Sequence, residues 1–112
     1  NDPNDPVDPN DPNEPDTTPP TPNPSVWAAE PNVVGSGFTA SITMEAEAAD
    51  DPSGPVEYEF YCTTSPGLSS GWIGTQTYEV VAGVAAYGQK FRFRTRDALG
   101  NVGQWSVEAV AQ

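Results

Sequence analysis

All four cations of the chain stand at alternate positions of one short segment: Lys90, Arg92, Arg94 and Arg96 in KFRFRTR. Alternate residues of an extended strand share a face, so this spacing makes a basic stripe. A basic stripe beside aromatic rings is chemistry for holding an acidic sugar chain. Trp72, in GWIG, and Tyr61, in VEYEFYC, supply such rings. Trp72, Tyr61, Arg92, Arg94 and Arg96 are therefore the candidate carbohydrate-binding residues. The competing reading is a solvated structural ladder. Glu57 and Glu59 fall on the outward face of the expected neighbouring strand, Glu108 on the other flank, and Tyr61 can stack under an arginine. Opposite charges facing each other across strands contribute roughly 0.2–1 kcal/mol per pair and help to fix register.

Asp50, Asp51 and Asp97 are the candidate metal ligands, and calcium is the cation that carboxylates and turn carbonyls would suit. Asp50 and Asp51 open a DDPSGP loop and Asp97 opens a DALGN turn. An aspartate in such a turn also caps backbone amides, which is the simpler role. No cofactor other than this weak calcium candidate is expected. Cys62 falls on an inward strand position, where a thiol behaves as a small hydrophobe. The chain has no His, so it holds no Ser-His-Asp or Cys-His pair and no imidazole proton shuttle. A single Cys excludes an internal disulfide and a Cys/His zinc cluster. Sixteen acids are present, but on outward faces and in loops, and a sandwich this small has little room for the cleft that paired-carboxylate catalysis needs. No catalytic activity is expected.

The elements that must position these residues follow from composition and period. The chain has 112 residues with 4 basic and 16 acidic side chains, a formal charge of −12. That charge argues against nucleic acid or an anionic membrane surface as partner. No apolar run approaches the roughly 20 residues of a membrane helix. Residues 1–24 hold nine of the 13 prolines and no aromatic residue. Too little apolar surface is present there to offset the entropy of ordering, so this stretch reads as a disordered or extended linker. Pro recurs every third residue from Pro3 to Pro15, and acids recur in the same step at Asp2, Asp5, Asp8, Asp11 and Glu14. Polyproline II has three residues per turn, so the acids line one edge about 9 Å apart and the prolines another. Fully extended, such a linker spans at most roughly 75 Å.

Residues 25–112 alternate with period two instead. FTASITMEAEA places Ile42, Met44, Ala46 and Ala48 on one face. VEYEFYC turns Val56, Tyr58, Phe60 and Cys62 inward, and KFRFRTR does the same with Phe91, Phe93 and Thr95. QWSVEAV offers Trp105, Val107 and Ala109 on one side, and SVWA, GWIG and TYEVV complete seven short strands. EPN, DDPSGP, TSPGLSSG, VAGVAAYG and ALGNVG separate them as turns. The fold class predicted is all-β: a seven-stranded, two-sheet antiparallel sandwich. One sheet holds the strands near 27, 43 and 79, the other those near 59, 72, 93 and 107.

DTTPPTPNP, FTASITMEAEAADDPSGPVEYEFYC, SGW and KFRFRTRDALGNVGQWS together resemble a bacterial fibronectin type III-like, immunoglobulin-like module. The late hairpin is the most specific part. The usual tyrosine before the sixth strand is replaced by Gln89, with Tyr87 as a substitute through a shifted loop. An Arg-Gly-Asp tripeptide is absent. The resemblance implies an extracellular or cell-surface accessory domain. It would be monomeric, with neighbouring domains of the same polypeptide as partners, and would serve as spacer or presentation module beside a catalytic or binding domain. A polysaccharide-binding module and an adhesion module working through an edge strand are the alternatives.

Overall fold

The computed structural model describes residues 17–112, so the linker expectation for residues 1–16 lies outside the described residues. The strands are β1 Trp27–Val34, β2 Ser41–Ala46, β3 Glu57–Cys62, β4 Gly71–Ile73, β5 Thr77–Val81, β6 Lys90–Arg96 and β7 Ala109–Val110. They form two antiparallel sheets, β1-β2-β5 and β4-β3-β6-β7. Both sheets have the strand membership expected from the alternation. Among the described residues the helical content is three short 3₁₀ turns, and no helix is long and apolar enough to cross a membrane.

The inward residues of the two sheets meet in one core. Ile42, Phe60, Phe91 and Phe93 are fully buried, with Met44, Ala46, Tyr58 and Cys62 around them. Each fully buried side chain of this size contributes roughly 1.5–3 kcal/mol relative to exposure. Trp27 closes the core from β1. Its ring lies 6.1 Å from Phe60 and 4.7 Å from Phe93, and its indole N–H donates to the Val107 carbonyl at 2.9 Å. Ala48 is exposed, because β2 ends at Ala46 and the alternation ends with it.

Three segments depart from the sequence expectation. Glu30-Pro31-Asn32 is not a turn; it lies inside β1, where the register with β2 shifts between Ala29 and Asn32. Proline has no N–H to give a ladder, and a bulge on an edge strand tolerates that; here Pro31 is buried. Trp105, Val107 and Ala109 do not share a face. Ser106 and Ala109 are both buried while Val107 is 73% exposed, so the parity shifts by one between them. Ser106 causes this: its amide donates to the Phe93 carbonyl at 2.7 Å and its hydroxyl accepts from the Phe93 amide at 3.0 Å. Trp105 is thereby turned to the outer face. Residues 20–24, read as linker, are seated on the sandwich. Pro20 is buried, Thr21 and Asp50 exchange backbone hydrogen bonds of 3.0 and 2.9 Å, and Asn23 Oδ1 accepts from the Gln104 amide at 2.8 Å. Gly103 leaves room for Asn23, since a Cβ there would lie 3.1 Å from its oxygen.

Tyr78 bridges the sheets: its ring stacks 5.7 Å from Phe60 and its hydroxyl donates to the Leu68 carbonyl at 2.7 Å. Burial, and secondarily the nearby Cys62 thiol, push its phenol above the ordinary value of 10.0. The fold thus favours the neutral phenol. The stability this gives is complete below pH 10.0 and is lost as pH rises through the elevated folded value. Urea midpoints measured from pH 8 to pH 11 should therefore fall at the alkaline end. Tyr78→Phe should lower the unfolding free energy at pH 8 by about 1 kcal/mol for the lost hydrogen bond, and flatten the alkaline fall.

Candidate functional site

The outer face of β4-β3-β6-β7 carries the predicted sugar-binding residues, and the structure brings all five together. Register sets their places: Glu59 faces both Trp72 and Arg94, Glu57 faces Arg96, and Tyr61 faces Arg92. Gly71, at φ 67°, makes the turn that starts β4 and delivers Trp72 onto this face. The serines of TSPGLSSG prepare that edge. Ser70 Oγ accepts from the Phe60 amide at 3.0 Å and Ser69 Oγ from the Cys62 amide at 2.9 Å, so β3 stays paired beyond the short β4.

Trp105 is the residue that sequence reasoning placed on the wrong side. It reaches the stripe from the β7 flank and completes an alternating series. The Arg92 guanidinium lies 5.9 Å from the Tyr61 ring and 4.4 Å from the Trp105 ring. That of Arg94 lies 4.3 Å from Trp105 and 5.5 Å from Trp72, and that of Arg96 lies 4.4 Å from Trp72. In order, the rungs are Tyr61, Arg92, Trp105, Arg94, Trp72 and Arg96. Carboxylates neutralise two of the cations: Glu59 accepts from Arg94 Nε and Glu57 from Arg96, each at 2.8 Å. Glu108, expected on this flank, accepts instead from the Thr63 hydroxyl at 2.6 Å. Arg92 stands apart. Its Nε is buried without a hydrogen-bond partner, and it forms no ion pair among the described residues.

The arrangement changes what the rings can do. A sugar stacks on an open ring face, whereas Trp72 and Trp105 each have two guanidinium groups over the ring. Cation–π contacts of this kind are worth about 0.5–1 kcal/mol each at exposed sites. The face is first of all a stacked ladder that stiffens the sheet.

The candidate calcium ligands sit at the end of the sandwich formed by the β2–β3 loop and the turn after β6, but they are engaged separately. Asp97 is 3% exposed; one carboxylate oxygen accepts from the Leu99 and Asn101 amides at 2.9 Å each, the other from the Asn101 side chain at 2.8 Å. Asp51 Oδ1 accepts from the Ser53 amide at 2.8 Å, and Asp50 pairs through its backbone with Thr21. Among the described residues no three His, Cys, Asp or Glu side chains come together as a metal site. Cys62 is buried and lies 3.4 Å from both Thr64 Oγ1 and Gln89 Oε1.

Gln89 takes the corner position where a tyrosine was expected. Its side-chain NH₂ donates to the Ala85 carbonyl four residues upstream at 3.0 Å, tying the β5–β6 connection back on itself. Tyr87 does not serve there; it is 68% exposed. No family model matches the chain, and the search of curated proteins returns no match.

Proposed function

We propose that the chain is a non-catalytic accessory module of the fibronectin type III-like kind. It acts as a spacer or presentation unit for neighbouring domains of a secreted or cell-surface bacterial polypeptide. The observation that carries this reading is the path of the chain through the sandwich. Thr21 is bonded to the β2–β3 loop at one end, and the Gln112 carbonyl accepts from the Val33 amide at the other. Whatever joins these two points is held apart by the length of a rigid two-sheet body. Such a body fixes distance and effective concentration between the units it connects. The secreted setting rests on the family resemblance alone.

The stacked ladder favours this reading over a neutral-sugar platform, because its rings are occupied by arginines. Affinity electrophoresis against neutral and acidic polysaccharides, with and without calcium, tests it. The expected result is unchanged mobility in every gel. Retardation that is lost in Trp72→Ala, with the fold intact by circular dichroism, would overturn the spacer reading in favour of a binding module.

A further inference from the structure

The end of the sandwich opposite the Asp50 and Asp97 loops is closed by two connections, residues 35–40 between β1 and β2 and residues 82–89 between β5 and β6. Neither the stretch 31–44 nor the stretch 80–89 holds an Asp, Glu, Lys or Arg, in a chain with 4 basic and 16 acidic residues. What this end exposes is apolar. Val34 and Val81 stand in one cross-strand row on either side of Ser41, and Phe38 and Val84 stand on the two adjoining 3₁₀ turns. With Tyr87, on the same connection as Val84, these side chains are each 47–88% exposed. The backbone holds them outward. The Ala40 carbonyl accepts from both the Ala82 and Gly83 amides at 3.0 Å, which ties the two connections together. Gly83, at φ 63°, lies against the Phe38 backbone, where a Cβ would stand 3.4 Å from the carbonyl oxygen. The backbone that presents Phe38 is thus ordered before any partner arrives, which lowers the entropic cost of binding.

We propose that this end is a self-association surface: two copies of the chain meet end to end about a two-fold axis, the Phe38 and Val84 turns of each against those of the other. Charge selects a second copy as the occupant. Asp50, Asp51 and Asp97 lie beyond the far end of β2, a strand of six residues or about 20 Å. Pairing through the uncharged end keeps those acids about 40 Å apart in the two copies, several screening lengths at physiological salt. Two chains of net charge −12 can therefore meet here with little repulsion. Area gives the strength. A contiguous exposed apolar patch marks an interaction site, and five side chains at these exposures present about 600 Å². A symmetric pair buries about 1,200 Å² in total, the lower limit of specific interfaces, so the contact is weak, with a Kd of about 0.1 mM. A bilayer is the poorer occupant, because neither connection carries a cation for lipid headgroups and the net charge opposes an anionic surface. The family resemblance implies a monomer; the pairing replaces that expectation at high concentration. It goes beyond the spacer reading, and either can fail alone.

The test uses the full chain. Sedimentation equilibrium from about 10 µM to about 1 mM, a range that brackets the expected Kd, should show the mass rising from 11.9 kDa toward twice that value. Added NaCl should strengthen the pairing slightly, because it screens like charges and leaves apolar contact intact. Over the same concentrations the methyl resonances of Val34, Val81 and Val84 should shift, while those of Leu99 and Val102, exposed at the opposite end, stay fixed. Phe38→Ala should raise the Kd at least about tenfold, and Val84→Asp should abolish pairing. Both sites are exposed, so circular dichroism should match the parent in each variant. A chain that stays monomeric at about 1 mM, tenfold above the expected Kd, would overturn the proposal. So would a dimer that Phe38→Ala leaves unchanged, or shifts confined to Leu99 and Val102. Masses that climb past the dimer would mean an open, non-closing contact and would overturn the two-fold pairing. Co-sedimentation with phosphatidylcholine vesicles that is lost in Phe38→Ala, with no dimer in solution, would assign the surface to a bilayer instead.

Discussion

Phe60→Ala should lower the unfolding free energy by about 3–5 kcal/mol, a large fraction of the about 5–15 kcal/mol that a typical domain possesses. Phe60 is fully buried at the centre of β3. Its ring lies 5.5 Å from Phe93, 5.7 Å from Tyr78 and 6.1 Å from Trp27, so it touches residues of both sheets. Truncation removes the transfer free energy of the ring and leaves a cavity. Its neighbours cannot fill that cavity, because Trp27 is pinned to Val107 and Tyr78 to Leu68 by their own hydrogen bonds. Urea unfolding should show a lower midpoint with an unchanged slope, since the surface exposed on unfolding hardly differs. Phe38 gives the contrast. It is 88% exposed on the 3₁₀ turn after β1, so Phe38→Ala should stay within about 0.5 kcal/mol of the parent. Equal losses for the two would mean that the core does not lie where the buried rings place it.

The reason Phe60 was legible in the sequence is the period of two. EYEFYC and KFRFRTR alternate so regularly that the inward set and the outward set, with Glu57 and Glu59 on the same face as the arginines, follow from pleat geometry, while the register that pairs Glu59 with Arg94 comes from the structure. The same rule failed after β6. QWSVEAV alternates on paper, yet one serine side chain satisfies the Phe93 amide and shifts the parity, which sends Trp105 outward. Side-chain-to-backbone bonds of that kind have no periodic signature. The bonds of the edge serines at 69 and 70, and that of Gln89 to the Ala85 carbonyl, went unseen for the same reason. The ladder was thus half visible. Its arginines, Trp72, Tyr61 and their carboxylates could be read from alternation, while the ring that spaces Arg92 from Arg94 depended on a local exception. The seating of residues 20–24 was hidden by composition, which describes a proline-rich stretch on average and not a particular buried residue such as Pro20.

Asp97→Ala is the second change expected to be severe, at about 3 kcal/mol. The carboxylate is nearly sealed from water and accepts from two backbone amides and one side-chain amide within its own turn. Alanine leaves the Leu99 and Asn101 amides without their acceptor, and a buried unsatisfied donor costs more than the bond itself contributed. Asp97→Asn keeps one acceptor and the side-chain volume but loses the charge, so about half of that cost is expected. The two substitutions also separate the turn-cap role from the metal role proposed for this residue on sequence grounds. A cap predicts that thermal midpoints of the parent and both variants are indifferent to calcium and fall in the order Asp, Asn, Ala. A ligand predicts that calcium raises the midpoint of the parent alone. The turn matters beyond its own bonds, because Val102 bridges back to Arg96 and Trp105 follows three residues later. Loosening it should therefore weaken the near-ultraviolet circular dichroism of the stacked Trp105 before the sheets themselves unfold. A variant that lost stability while keeping that signal to the midpoint would show that the turn and the ladder are independent.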